Sequence, residues 1–361
     1  MRGAVLNASP GDLEITELVI DNPGPREVLV RTAAAGLCHS DLHTIDGSIP
    51  ARLPACLGHE AAGVVEAVGD QVGHVAPGDH VISCLSVFCG HCEHCVSGYP
   101  NRCESSEMRR GRGEPSRLAL EDGRAINQYF NLSAFAELML VHENALVKIV
   151  DDIPLDRAAL IGCGVVTGVG AVIHTAGVRP GETVAVIGCG GIGLNCIQGA
   201  RLAGAGRIIA VDRLAMKLEL AKSFGATDVV DASSVDSVQA VLEMTSGGVH
   251  HAFEAIGLKA TAEAAFGMLR VGGTATVVGL LPFGVNIEIS GLSLIGERKL
   301  QGSRMGSNRF RVDMPRLVDL YLQGRLDLDN LISARITLDE VNDGFAAMQT
   351  GEVARSVIVF N

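Results

Sequence analysis

The sequence predicts an α/β chain in which a β-rich domain is interrupted by a doubly wound parallel sheet. Three observations carry this. Short β-runs set off by turns fill roughly the first 160 residues, apolar strands alternate with Ala/Leu-rich helical segments from about residue 165, and one more helix and two strands close the chain after residue 303. The predicted domains are therefore 1–164, 165–303 and 304–361, the last returning to the first. A chain of 361 residues exceeds one ordinary core, and 47% apolar residues with a mean hydropathy of +0.30 give two cores enough to bury.

In chain order, Val28–Thr32 follows the turn Asn22-Pro-Gly-Pro, and Gly63–Val68 and Asp79–Ser83 read as further strands. Glu104–Gly123 is rich in Arg, Glu, Ser and Gly without an apolar period, which predicts a long surface loop. Thr183–Ile187, Arg207–Val211 and Thr274–Val278 read as buried strands, with a helix over Leu214–Phe224 between them. A helix over Met314–Gln323 and strands at Ile332–Ile336 and Ser356–Phe360 end the chain. There is no internal repeat.

The balance of 29 basic and 41 acidic residues, net charge −12, disfavours nucleic acid and anionic membrane as partners, since both demand a cationic face. The most apolar stretches, such as Thr183–Leu194, are broken by glycines, so no membrane-spanning run is expected. The start Met1-Arg2-Gly3-Ala4-Val5 lacks the pattern of a signal peptide, and a cytoplasmic location is expected. Ten cysteines in that setting read as reduced thiols.

Gly188-Cys-Gly-Gly-Ile-Gly193 lies between the strand Val184–Ile187 and a helical run from Leu194, so Gly188, Gly190, Gly191, Ile192 and Gly193 form a strand-to-helix turn. Such a turn brings a pyrophosphate against the backbone and the helix N-terminus. Asp212 ends the next strand, where a carboxylate accepts hydrogen bonds from ribose hydroxyls and repels a 2′-phosphate. NAD is the expected cofactor. Arg213 and Lys217 lie beside that position, and Arg213 weakens the discrimination against NADP.

Cys89, Cys92, Cys95 and Cys103 stand in a C-x2-C-x2-C-x7-C pattern, close enough to surround one tetrahedral zinc and leave it no open position. His91 and His94 lie among them and are the weaker ligand candidates. A catalytic zinc needs three protein ligands and an open site; Cys38, His59 and Cys163 are the candidates outside the cluster. Spacing does not unite residues so far apart, and on spacing alone buried structural thiols with a satisfied core histidine are the better explanation.

The segments Gly36–His43, Leu57–Glu66, Pro77–Val81, the cysteine cluster, Gly162–Gly164 and Gly188–Gly193 occur in an order similar to that of zinc-dependent medium-chain alcohol dehydrogenases. The resemblance covers nearly the whole chain. It implies a GroES-like catalytic domain interrupted by a Rossmann domain, two Zn²⁺ per chain and NAD. Cys38, His59 and Cys163 fall on the catalytic zinc ligands and the four-cysteine cluster on the structural zinc. Asp41 resembles the carboxylate that orients the ligand histidine, Glu60 an acid close to the metal, Ser40 a hydroxyl that takes the alcohol proton, and His43 the base that ends the relay. Thr167 resembles a nicotinamide contact, and His39 stands where many relatives have Arg against the pyrophosphate.

The chemistry so implied is reversible oxidation of an alcohol, with its proton leaving through Ser40, the cofactor's ribose hydroxyl and His43 and its hydride passing to NAD. Ile49, Leu85 and Leu280 align with the substrate channel and are aliphatic, and Met108 and Phe130 are assigned to its loop side. They predict a hydrophobic primary alcohol, aromatic, terpenoid or long aliphatic. The alternatives are a thiol-adduct formaldehyde dehydrogenase, which Ile49 disfavours and the basic run Arg109-Arg-Gly-Arg112 favours, and a nicotinoprotein that keeps its cofactor bound. A zinc-stapled NAD-binding sensor has no use for an open metal site. The loop after the cluster implies a homodimer joined near Phe283–Leu300.

Overall fold

The computed structural model describes residues 1–111, 113–351 and 354–360; Arg112 of the basic run lies outside them. The chain divides into two compact units, one built from Met1–Cys163 together with the residues from Arg309 onward, the other from Gly164–Asn308. The sequence places the second crossing after residue 303; the structure keeps the next five residues with the inserted unit.

The first unit holds a barrel and a sheet. The barrel runs through Arg2–Leu6, Leu13–Ile20, Leu118–Leu120, Ala125–Gln128 and Ala55–Cys56. The seven-stranded sheet runs Leu146–Lys148, His80–Ser83, Ala61–Val68, Glu27–Gly36, Arg355–Val359, Ile332–Ile336, with Leu138–His142 also pairing with Glu27–Gly36. Val28, Val30, Ala35, Leu57, Ala61, Val65 and Ile358 alternate inward along these strands into one core with Phe135 and Phe345. Glu104–Gly123 is not the featureless loop expected: Met108, Arg117 and Leu118 are buried, and Leu118–Leu120 pairs with Leu13–Ile20 and Ala125–Gln128. A three-residue strand is too short to show a period.

In the second unit six parallel strands stand in the order Asp228–Asp231, Arg207–Asp212, Thr183–Ile187, Val249–Glu254, Leu269–Val277, Lys299–Gly302. Numbered along the chain this is 3-2-1-4-5-6, the doubly wound order that opens a ligand crevice at the carboxyl ends where the winding reverses.

One helix corrects the reading that no long apolar run exists. Leu155–Ala176 has the length and hydropathy to cross a membrane, but 83% of its most apolar window is buried in the fold, the mark of a core helix. Its stretch Ile161–Val165 is a π turn. Cys163 therefore sits inside a helix, on an enlarged turn, although the glycines on both sides of it, Gly162 and Gly164, read in the sequence as a turn. A Cβ on Gly162 would come within 2.7 Å of the Ser83 carbonyl, so only glycine lets the helix approach the sheet this closely.

Candidate active site and metal centres

Cys38 leaves the end of strand Glu27–Gly36 as the N-cap of helix His39–Ile45, and His59 precedes strand Ala61–Val68. These two strands are antiparallel neighbours, and the helical segment Leu155–Leu160, which leads into the π turn of Cys163, packs against both. The topology thus brings together three residues that the sequence scatters: Cys38 Sγ, a His59 ring nitrogen and Cys163 Sγ lie within 4.8 Å of one another, all buried. Cys163 Sγ is 3.5 Å from His59 Nε2.

The opposite ring nitrogen of His59, Nδ1, lies 3.2 Å from Asp41 Oδ1, which also accepts the Gly58 N–H at 3.1 Å. A proton on Nδ1 leaves the Nε2 lone pair facing the two sulfurs. Burial opposes charge on His59, but Asp41 and Cys38 together raise its pKa. The hydrogen bond with Cys163 pulls Cys38 well below the usual thiol range against burial, and the same bond raises Cys163. Two thiols, an imidazole and a buried carboxylate around so small a space suit a divalent cation, which replaces the protons they otherwise share. The donor set fits a three-ligand zinc site, and Asp41 has the orienting place implied for it.

Glu60 is fully buried, with Arg355 Nη1 3.7 Å from its Oε2 and donating to the Leu37 carbonyl at 2.9 Å. Ser40 Oγ is 3.8 Å from Cys38 Sγ. His43 lies one helical turn further on, partly exposed, with Nδ1 3.8 Å from Asp46. His39, on the same helix, is exposed. Phe130 packs its ring 5.3 Å from that of His59, and its φ of +48° is rare for a non-glycine residue. Ile49 and Leu85 are half-buried in this unit. Met108 lines a different groove, with Glu27, His91 and Arg110 and without any of the three cluster residues. Leu280 belongs to the other unit, after strand Leu269–Val277.

Two residues around this cluster escaped the sequence reading. Tyr129 stacks edge-on to His59 at 5.9 Å, shares a 2.8 Å hydrogen bond with Thr44 Oγ1, and donates to the Ser40 carbonyl at 2.9 Å. Arg355 comes from the last strand; a buried arginine opening the apolar run Arg355–Val359 is the signal that could have marked it.

The four-cysteine cluster is compact: Cys92 Sγ lies 3.4 Å from Cys95 and 3.9 Å from Cys103, and Cys89 Sγ 3.9 Å from Cys95. The Cys92 and Cys89 amides point at Cys89 and Cys103 sulfurs, both at 3.3 Å. Although its burial works the other way, such amides hold Cys89 down to about 6. All four sulfurs lie within 4.8 Å of one another, as one tetrahedral ion requires. In the basic run after it, Arg110 is held by Asp21 and Glu27 at 2.5 and 2.6 Å, and Arg109 is exposed.

In the second unit, Gly188 has φ +91°, and Gly190 caps the helix Gly191–Leu202. A Cβ on Gly193 would strike the Gly188 carbonyl at 1.7 Å, whereas one on Gly190 would meet nothing within 4 Å, so the turn is tight at its base and open above the helix N-terminus. Asp212 Oδ2 accepts the Cys189 N–H at 2.8 Å, and Oδ1 the Arg213 N–H at 2.7 Å, tying the acid to the glycine turn. Lys217 is half-buried on the following helix, and Arg213 is exposed. Thr167 is buried, donating to Met305 Sδ at 3.6 Å. Glu254 adds a support the sequence did not reveal: Oε1 accepts from Ile256 N, Gly257 N and Thr261 Oγ1, and Ile256 packs against Gly188.

Comparison with known proteins agrees with this geometry. Residues 24–151 match the alcohol dehydrogenase GroES-like domain and residues 191–323 the zinc-binding dehydrogenase domain. The chain is 39% identical to the alcohol dehydrogenase class-3 of Cereibacter sphaeroides and 37% identical to the S-(hydroxymethyl)glutathione dehydrogenase of Paracoccus denitrificans, over 99% of each chain in both cases. It superimposes on benzyl alcohol dehydrogenase from Acinetobacter calcoaceticus with a TM-score of 0.92 at 34% identity, covering 100% of this chain and 99% of the other. The chain belongs to the zinc-dependent medium-chain alcohol dehydrogenases, oxidoreductases with a GroES-like domain, a Rossmann domain that binds NAD, and cysteine-rich zinc sites.

Proposed function

We propose that this enzyme oxidises the hydroxymethyl adduct that formaldehyde forms with a thiol, using NAD. The observation that carries the reading is the near-complete match to relatives named for S-(hydroxymethyl)glutathione, at 37% and 38% identity over 99% of this chain. Among the described residues of the basic run, Arg109 is exposed and Arg110 is held by Asp21 and Glu27, and both line the groove that lacks Cys38, His59 and Cys163. A second reading, a hydrophobic primary alcohol, is favoured by the benzyl alcohol dehydrogenase match and by the aromatic face of Phe130 against His59. NADH formation with formaldehyde plus glutathione, set against benzyl alcohol alone, decides between them. A higher kcat/KM for the adduct is expected; no turnover with it, beside brisk oxidation of benzyl alcohol, refutes the first reading.

Zinc on Cys38, His59 and Cys163 and NAD on the glycine turn supply a Lewis acid and a hydride acceptor. The chain does the rest. Asp41 fixes the His59 tautomer, Ser40 beside Cys38 receives the alcohol proton, and His43, three residues on along the helix and partly exposed, passes it outward. Tyr129 anchors the Ser40 carbonyl and so the relay helix. Asp212 favours NAD over NADP by repelling a 2′-phosphate, and Asp212→Gly is expected to narrow that preference.

Self-association belongs to the same reading. Phe283 is 95% exposed and Ile295 79%, Leu292 and Val271 are exposed as well, and strand Lys299–Gly302 ends its sheet with an open edge. Such a patch marks an interface and an open edge pairs with a copy of itself. A homodimer by light scattering, converted to monomer by Phe283→Asp with Ile295→Asp, is the expected result.

A further inference from the structure

We infer that Cys89, His91 and Glu107 form a third, exchangeable site for a divalent cation on the open side of the tetrathiolate cluster, with Cys89 shared between two ions. The three donors, one sulfur, one imidazole nitrogen and one carboxylate oxygen, lie within 4.8 Å of one another. His91 Nε2 is 3.4 Å from Glu107 Oε2. The sequence builds this locally. Gly90, at φ +92°, reverses the chain between Cys89 and His91, and a turn held by Glu107 N to Ser105 Oγ brings Glu107 back four residues after Cys103. His94, also within the cluster, takes no part.

Electrostatics favour a second cation there even when the tetrathiolate is filled. Four thiolates around one divalent ion leave two negative charges in excess, and Glu93, Glu104 and Glu107 add to them against a single base, Arg102, between Cys89 and Glu107. A mixed sulfur, nitrogen and oxygen set suits zinc, and three protein donors leave a fourth position to water. Access is direct. His91 is 69% exposed and Glu107 46%, and both line a groove of about 730 Å³. Arg26, Arg109, Arg110 and Arg117 border the same groove; Arg26, Arg110 and Arg117 are each held by a carboxylate, of Glu143, Glu27 and Glu27 respectively, which lessens their repulsion, and Arg109 is exposed to solvent, which screens it. The open ligand sphere and exposed donors make the site weaker and faster to exchange than the enclosed cluster beside it.

The test uses the holoenzyme, dialysed to two zinc per chain and then equilibrated against rising Zn²⁺, with bound metal counted by elemental analysis. The expected result is a third equivalent that His91→Ala with Glu107→Gln weakens by more than about 100-fold, the two resident ions being retained. His94→Ala should bind the third ion as the wild type does. Saturation at two equivalents, survival of the third in the double variant, or equal loss in His94→Ala would each overturn the assignment.

Discussion

Two cysteine clusters in one unit of this enzyme differ in almost everything except their taste for zinc. The tetrathiolate is drawn from fifteen consecutive residues, lies partly exposed, and encloses its ion with four sulfurs. The Cys38–His59–Cys163 cluster is drawn from a strand end, a strand start and a π turn, is fully buried, and provides three donors with a carboxylate behind the imidazole. The first spends local sequence on closing a loop. The second spends the whole fold on leaving one position open, and that open position is where chemistry becomes possible.

The largest consequence is functional separation. Cys163→Ala should lower kcat/KM by more than about 10³-fold, as expected for losing a Lewis acid worth several kcal/mol, while circular dichroism and melting change little. Cys95→Ala should do the reverse, lowering the melting temperature and raising sensitivity to chelators with less effect on the initial rate. Equal loss of activity and fold in both would erase the contrast.

Next comes the anchor of the segment behind the tetrathiolate. Glu27 binds Arg110 and Arg117 at 2.6 Å each, and although burial opposes its charge these partners hold its carboxyl down to about 2, against an ordinary 4.5. A depressed carboxylate adds stability that is full above its unfolded pKa and fades as pH falls toward the folded one. Glu27→Gln should therefore cost about 3 kcal/mol near neutral pH and progressively less between about pH 4.5 and 2, read by denaturant titration. A penalty constant over that range would show that packing, and not ionisation, holds the segment.

Asp41→Asn should reduce zinc affinity or activity by about 10- to 100-fold, because the amide can present the wrong group to His59 Nδ1. Titration with a chelator under turnover reads it, and an unchanged zinc affinity together with unchanged kcat would remove Asp41 from its orienting role. The smallest effect belongs to the relay end. His43→Gln should slow alcohol oxidation by about 10-fold near neutral pH and less at alkaline pH, where hydroxide takes the proton directly. A loss that stays constant with pH would mark His43 as a shaping residue.

The same contrast explains what could be read in advance. The tetrathiolate and the glycine turn are local, so spacing and the strand before Gly188 were enough. Cys38, His59 and Cys163 meet through antiparallel pairing of two strands and the approach that Gly162 allows, which no spacing encodes; family likeness, not periodicity, joined them. Arg355 reaches the cluster across a still longer separation, and it and Tyr129 escaped both readings. Leu118–Leu120 was too short to show alternation, and Met108, taken for a pocket residue, is instead drawn into a core beside the Arg117 network. The long helix Leu155–Ala176 was missed because its glycines read as breaks, although it is their small size that lets it lie buried.

The account rests on two clusters holding two ions, and zinc content measures that directly. After dialysis against metal-free buffer, elemental analysis should return two zinc ions per chain in the wild type and one in a folded Cys163→Ala variant without activity. One ion in the wild type, or two retained by Cys163→Ala, would contradict it.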